Sequence, residues 1–213
     1  FEKLQFRFGG QQAESDANSA FFLFAFIVGI FLMSILLMIQ LNSFYQVFII
    51  VSAVILSTNG VFLGLLVTQQ ISSALFTSLG IIALAGIVVN NNIVLVDTYN
   101  VISKENPELS REEIVVRTAA QRLRPIILTT ATTVIGLLPL ASGIGVDFYQ
   151  RNIEIGGRVS EWWQPMSFAV VSGLTFASAI TLFLTPCWLM LPVAIKDTFN
   201  NIKNTFTKTA SER

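Results

Sequence analysis

Five apolar stretches, residues 20–41, 45–67, 71–96, 125–141 and 165–193, take up most of this 213-residue chain. Each supplies about 20 residues, enough at 1.5 Å per residue to cross a hydrocarbon core about 30 Å thick. Backbone N–H and C=O groups in hydrocarbon find no water, so a run of this length satisfies them internally, as a helix. Charge agrees with that reading. Only 12% of the residues are charged, half of the roughly 25% usual in soluble domains. The fold class predicted is all-α: a polytopic membrane helix bundle with five transmembrane helices, at about 20–41, 45–67, 71–97, 125–142 and 165–193.

Net charge is zero, which gives no electrostatic basis for binding nucleic acid. Cys187 is the sole cysteine, so an internal disulfide and a thiolate metal cluster are excluded, and its apolar surroundings suit a packing residue. Histidine is absent, and with it the commonest general base and metal ligand. Without a histidine pair or an activated serine or cysteine an intramembrane enzyme is a poor fit, and no cofactor or metal is expected. The chain starts at Phe1, behind which a polar stretch of mixed charge precedes an apolar run too long for a signal peptide. It reads as a fragment or processed product of something larger.

Within the third stretch stand Asn90, Asn91, Asn92 and, near its end, Asp97. A carboxamide in hydrocarbon needs a partner or a cavity. Asn90 and Asp97 lie about two helical turns apart and share a face with Gly86 and Val94. That face forms a polar seam, either a packing seam between helices or part of a transport pathway.

Five spans put the termini on opposite sides. With a cytoplasmic C-terminus the inner segments hold Lys104, Arg111, Arg117, Arg122, Arg124, Lys196, Lys203, Lys208 and Arg213, and the outer ones only Lys3, Arg7, Arg151 and Arg158. The positive-inside rule selects this orientation. Residues 1–19 are then a periplasmic end segment and 194–213 a cytoplasmic tail. Trp162 and Trp163 stand before the last span, where an outer aromatic belt falls. On the inner side Ser110 and Glu113 form a capping box, and Ile114, Val115, Ala119 and Leu123 give the following segment an apolar side. Residues 110–123 therefore read as a short amphipathic cytoplasmic helix, broken at Arg124-Pro125 because a residue before proline avoids the helical region.

In the fourth span Thr129, Thr132 or Thr133, and Gly136 fall on one face, and in the fifth Ser178, Thr181 and Thr185 line one side. Three helices thus each carry a small or polar face. Mutual burial of those faces is the simplest arrangement.

Four motifs add a resemblance that covers nearly the whole chain. The run from Val89 through Asn90, Asn91, Asn92 and Ile93 to Asp97, the run from Arg122 through Pro125 to Thr129 and Thr130, the Gly136-Leu137-Leu138-Pro139-Leu140 segment, and the last span from Gly173 to Pro186 are similar, in that order, to the final membrane half of resistance-nodulation-division (RND) transporters. The resemblance implies a twelve-helix permease of two six-helix halves, of which these spans are helices eight to twelve. It implies a bacterial inner-membrane protein that exports drugs, metals, lipids or other amphiphiles in exchange for protons, as a trimer with a periplasmic adaptor and an outer-membrane channel. An N-terminal half is then the necessary partner, since the family's relay aspartates lie in its fourth helix. Around that relay the resemblance assigns supporting places to Asn90, Asn91, Asn92, Asp97, Arg122, Thr129 and Thr130.

Two departures stand out. Many drug exporters carry a lysine where this chain has Asn90, and an asparagine cannot form the corresponding salt bridge, although it can hydrogen-bond. Ile55 occupies the place of a usual proline, with Asn59 one turn on. The alternative to a working exporter half is a non-transporting fragment that only packs with a partner.

Overall fold

The computed structural model describes residues 11–69, 73–147 and 152–211. Five helices stand in these residues: α1 (Gln11–Leu41), α2 (Phe44–Thr68), α3 (Ala74–Glu105), α4 (Arg111–Ala141) and α5 (Arg158–Ser211). All five are long and apolar enough to cross a membrane. A two-stranded antiparallel hairpin, β1 (Ile144–Asp147) and β2 (Asn152–Ile155), joins α4 to α5, with Ile144 opposite Ile155 and Asp147 opposite Asn152.

Local chemistry sets the corners. Asn42 ends α1 in the left-handed region (φ 49°), its N–H bonding to Met38 O, and Ser43 Oγ caps α2 by accepting from Gln46 N. Ser110 Oγ accepts from Glu113 N, the bond that the capping box called for. At the end of α4, Gly143 turns the chain with φ +73°, a conformation that costs glycine little. Its carbonyl accepts from Gly156 N and closes the base of the hairpin.

α5 is the hub: α2, α3 and α4 all lie along it. Close approach to α2 comes from Gly60 and Gly64, one turn apart. A Cβ on Gly60 would stand 2.5 Å from Phe176 Cβ, and one on Gly64 would stand 2.4 Å from Ser172 Cβ. Lipid tails are as apolar as leucine, so small residues that let backbones approach are what make helices associate here. The main core joins Leu37, Ile50, Val54, Val61, Leu84, Val88, Ala169, Leu174 and Ala177. A second cluster of Ile49, Leu95, Val115, Ile126 and Leu189 sits near the α3–α4 end of the bundle. α1 lies on the periphery, leaning on α2 and α3, and presents Phe21, Phe24, Phe31, Leu36 and Ile39 outward.

Two expectations need correction. Arg124-Pro125 does not break the chain: Pro125 lies inside one continuous helix, α4, and the segment read as a separate amphipathic helix is its first part. Val115 and Ile126 flank the proline and are buried in the same cluster, so packing on both sides holds the two segments in line. Tertiary contact here outweighs the one backbone bond that proline cannot make. Cys187, read as a packing residue, is exposed. The chain past residue 193 continues as helix to Ser211. Trp162 and Trp163 are exposed, with Phe76 beside both rings.

Candidate functional site: the polar seam of α3

α3 carries two stripes of opposite character. Leu84, Val88, Asn92 and Leu95, spaced four, four and three apart, are each at most 1% exposed. Gly86, Asn90, Val94, Asp97 and Val101, two residues out of step, are all exposed. Two residues correspond to about 200° around a helix, so the stripes lie on nearly opposite sides. Asn91 falls between them and is half-buried.

The three asparagines therefore separate. Asn92 is fully buried, and its carboxamide is well used: Nδ2 donates to Val88 O (2.9 Å) and Thr181 Oγ1 (3.3 Å), while Oδ1 accepts from Thr185 Oγ1 (2.9 Å). Thr181 and Thr185 are buried with it. Among the described residues Asn90 and Asn91 make no side-chain hydrogen bond, and a Cβ on Gly86 would meet nothing within 4 Å.

At the next turn Asp97 is exposed and Thr98 is buried. Thr98 Oγ1 donates to Val94 O (2.7 Å) and accepts a short bond from Arg122 Nε, which ties α4 to α3. Arg122 is half-buried. Farther along α4, Thr130 Oγ1 and Ser178 Oγ are 2.6 Å apart, joining α4 to α5. Thr129 is exposed and donates to Ile126 O of its own helix (3.0 Å); Thr132 and Thr133 likewise use carbonyls of α4. Mutual burial of polar faces thus holds for α3 with α5 and for Thr130 with Ser178. The face with Thr129 and Gly136 stays open instead.

A further polar contact was not read from the sequence. Gln46 Nε2 donates to Asn100 Oδ1 (2.6 Å) and Asn100 Nδ2 donates back to Gln46 Oε1 (3.0 Å), a reciprocal amide pair between α2 and α3. Beside it the Tyr45 hydroxyl donates to the Trp188 carbonyl, and Phe48 stacks on the Trp188 ring at 5.6 Å. Gln46 stands among apolar residues at the start of a span, a visible signal, but nothing in the sequence connects it with Asn100.

Bundles with helices of this order have counterparts among known proteins. The model of the AcrB/AcrD/AcrF family matches residues 2–192. The chain belongs to this family of RND permeases. It is 33% identical over 126 residues to the multidrug resistance protein MdtC of Klebsiella pneumoniae, covering 58% of the chain and 11% of that protein. It is 32% identical over 162 residues to the swarming motility protein SwrC of Bacillus subtilis, covering 76% of the chain and 14% of that protein. Among solved structures, a heavy metal efflux pump (crystal form I) superimposes with TM-score 0.62 at 30% identity, over 86% of this chain and 17% of the pump. The chain thus spans less than a fifth of the length of these relatives. Membership makes it a multi-pass inner-membrane segment of a transporter family, in accord with its five apolar helices.

Proposed function

We propose that the chain is the C-terminal transmembrane part of a proton-driven efflux permease that exports drugs or other amphiphiles. The observation that carries this reading is the exposed stripe of Gly86, Asn90, Val94 and Asp97. An unpartnered carboxamide facing lipid is costly, so a further protein surface covers it, and the N-terminal half of the permease is the surface that the family supplies. In that assembly Asn90, Asn91 and Thr129 face the relay aspartates of the partner half, with Arg122 and Asp97 at the cytoplasmic end and Thr130 holding α4 on α5. Asn90 carries no charge, so its coupling to the relay runs through hydrogen bonds. Protonation in the partner half changes those bonds, and the helix shift passes to periplasmic porter domains. The N-terminus is periplasmic and the C-terminus cytoplasmic, and the working unit is a trimer with an adaptor and an outer-membrane channel.

The test is dye efflux from cells that make this chain together with the N-terminal half, normalised to assembled protein. Asn90→Leu and Thr129→Val each abolish uncoupler-sensitive efflux while assembly stays near normal. Full activity in both variants reduces the seam to packing. Assembly with no uncoupler-sensitive efflux even in the unmodified pair supports the alternative, a non-transporting fragment.

A further inference from the structure

The three consecutive asparagines pose a problem of rotation. α3 is apolar nearly all round, with Ile87, Val88, Val89, Ile93, Val94, Leu95 and Val96 flanking them. Close packing fixes α3 against α5 at Gly80, where a Cβ would stand 2.8 Å from Met166 O, and at Leu84, which lies against Gly173. Around the asparagines, burying an apolar residue against a helix or against lipid differs little in hydrophobic terms, so apolar contact discriminates weakly there. Each turn of about 100° would bring a different asparagine toward α5. The buried one is Asn92, and it is the one whose donors and acceptor are met by Thr181 and Thr185.

Thr185 uses its hydroxyl unusually for these helices. Ser172, Thr175 and Ser178 on α5 each donate to a carbonyl three or four residues back. Thr185 donates to Asn92 on α3 instead. It directly precedes Pro186, inside α5. Asn92 stands on α3 among residues of both apolar clusters, with Val88 and Val96 in the main core and Leu95 in the second.

We propose that Asn92 is a positioning residue: its buried carboxamide, read by Thr181 and Thr185, sets the rotation of α3 against α5 and thereby holds Asn90 on the opposite, open face. One buried polar residue specifying register among otherwise interchangeable apolar contacts has precedent in coiled coils. The consequence for Asn90 rests on the reading of its face as a transport seam; the rotational setting does not.

The experiment measures rotation directly, without transport. In a Cys187→Ala background, the chain carries a nitroxide at one position at a time along α3 and is reconstituted in liposomes. Collision with oxygen dissolved in the bilayer is then read. Unmodified α3 gives maxima at 86, 90, 94 and 97 and minima at 84, 88 and 95. Asn92→Leu loses this alternation, and so does Thr181→Val with Thr185→Val, which leaves Asn92 in place. The reciprocal exchange, Asn92→Thr with Thr185→Asn, restores it. An alternation unchanged in Asn92→Leu and in the double valine variant overturns the proposal, as does a loss that the exchange fails to repair. Because the readout needs no partner half, failure of the transport reading leaves this result standing, and the reverse holds too.

Discussion

Thr185 Oγ1 donates to Asn92 Oδ1 at 2.9 Å, so the bond runs between α5 and α3 and not within α5. An interhelical hydrogen bond in a membrane is worth only about 0.6–2 kcal/mol, because the separated helices find other partners. The value of this one lies in direction. It turns one named face of α3 inward and leaves the other to whatever lies beyond.

Gly60→Ala should weaken the bundle by about 1–3 kcal/mol, as overpacking does elsewhere. The added Cβ would stand 2.5 Å from Phe176 Cβ, which is attached to the α5 backbone and cannot swing away. Gly86→Ala and Gly136→Ala serve as controls, since nothing lies within 4 Å of a Cβ at either position. Denaturant unfolding in detergent micelles checks this, and equal stabilities for all three variants would contradict the close α2–α5 approach.

Gln46 and Asn100 satisfy each other, so the two single losses should exceed the double loss. Gln46→Leu or Asn100→Leu leaves one amide without its partner, at about 1–3 kcal/mol when buried; both residues here are part-buried, which puts the expected cost at the low end. With both replaced by leucine no polar group is stranded, and most of the loss returns. A double-mutant cycle on the same unfolding assay measures the coupling. Additive effects would mean that the pair does not form in the membrane.

Orientation can be checked by thiol labelling in intact cells, with the exposed Cys187 first replaced by alanine. A cysteine at Ile144, in the α4–α5 hairpin, should react with an impermeant maleimide. One at Glu108, in the α3–α4 connection, should react only after the membrane is opened. The reverse pattern would overturn the periplasmic N-terminus.

The five helices were legible because twenty consecutive apolar residues leave the backbone no other solution. So was the shared face of Gly86, Asn90 and Asp97, which follows from helical spacing alone. The rest depended on partners distant in sequence. Spacing put Asn90, Asn91 and Asn92 about 100° apart but could not say which faces α5, because that is decided by hydroxyls some ninety residues later, Asn92 and Thr185 being 93 apart. Pro125 reads locally as a break, and only Val115 and Ile126 meeting in one cluster explain why the helix continues. The face of Thr129 and Gly136 was read as buried because a polar face seeks cover, yet among the described residues nothing covers it. The β1–β2 hairpin was missed: its strands are only four residues each, too short to show a pattern.

The hub is also the last of the five described helices to be made. Synthesis runs from the N-terminal end, so Gly60 and Gly64 of α2, Leu84 and Asn92 of α3 and Thr130 of α4 enter the bilayer before Ser172, Gly173, Ser178 and Thr185 exist to meet them. Until α5 arrives, the first four helices hold together through α3 alone among their larger contacts, and the Asn92 carboxamide waits without its threonines. Closure of the bundle around α5 is therefore a late event, and a ribosome that stops short of Arg158 leaves behind four helices whose α5-contacting faces have no partner from α5.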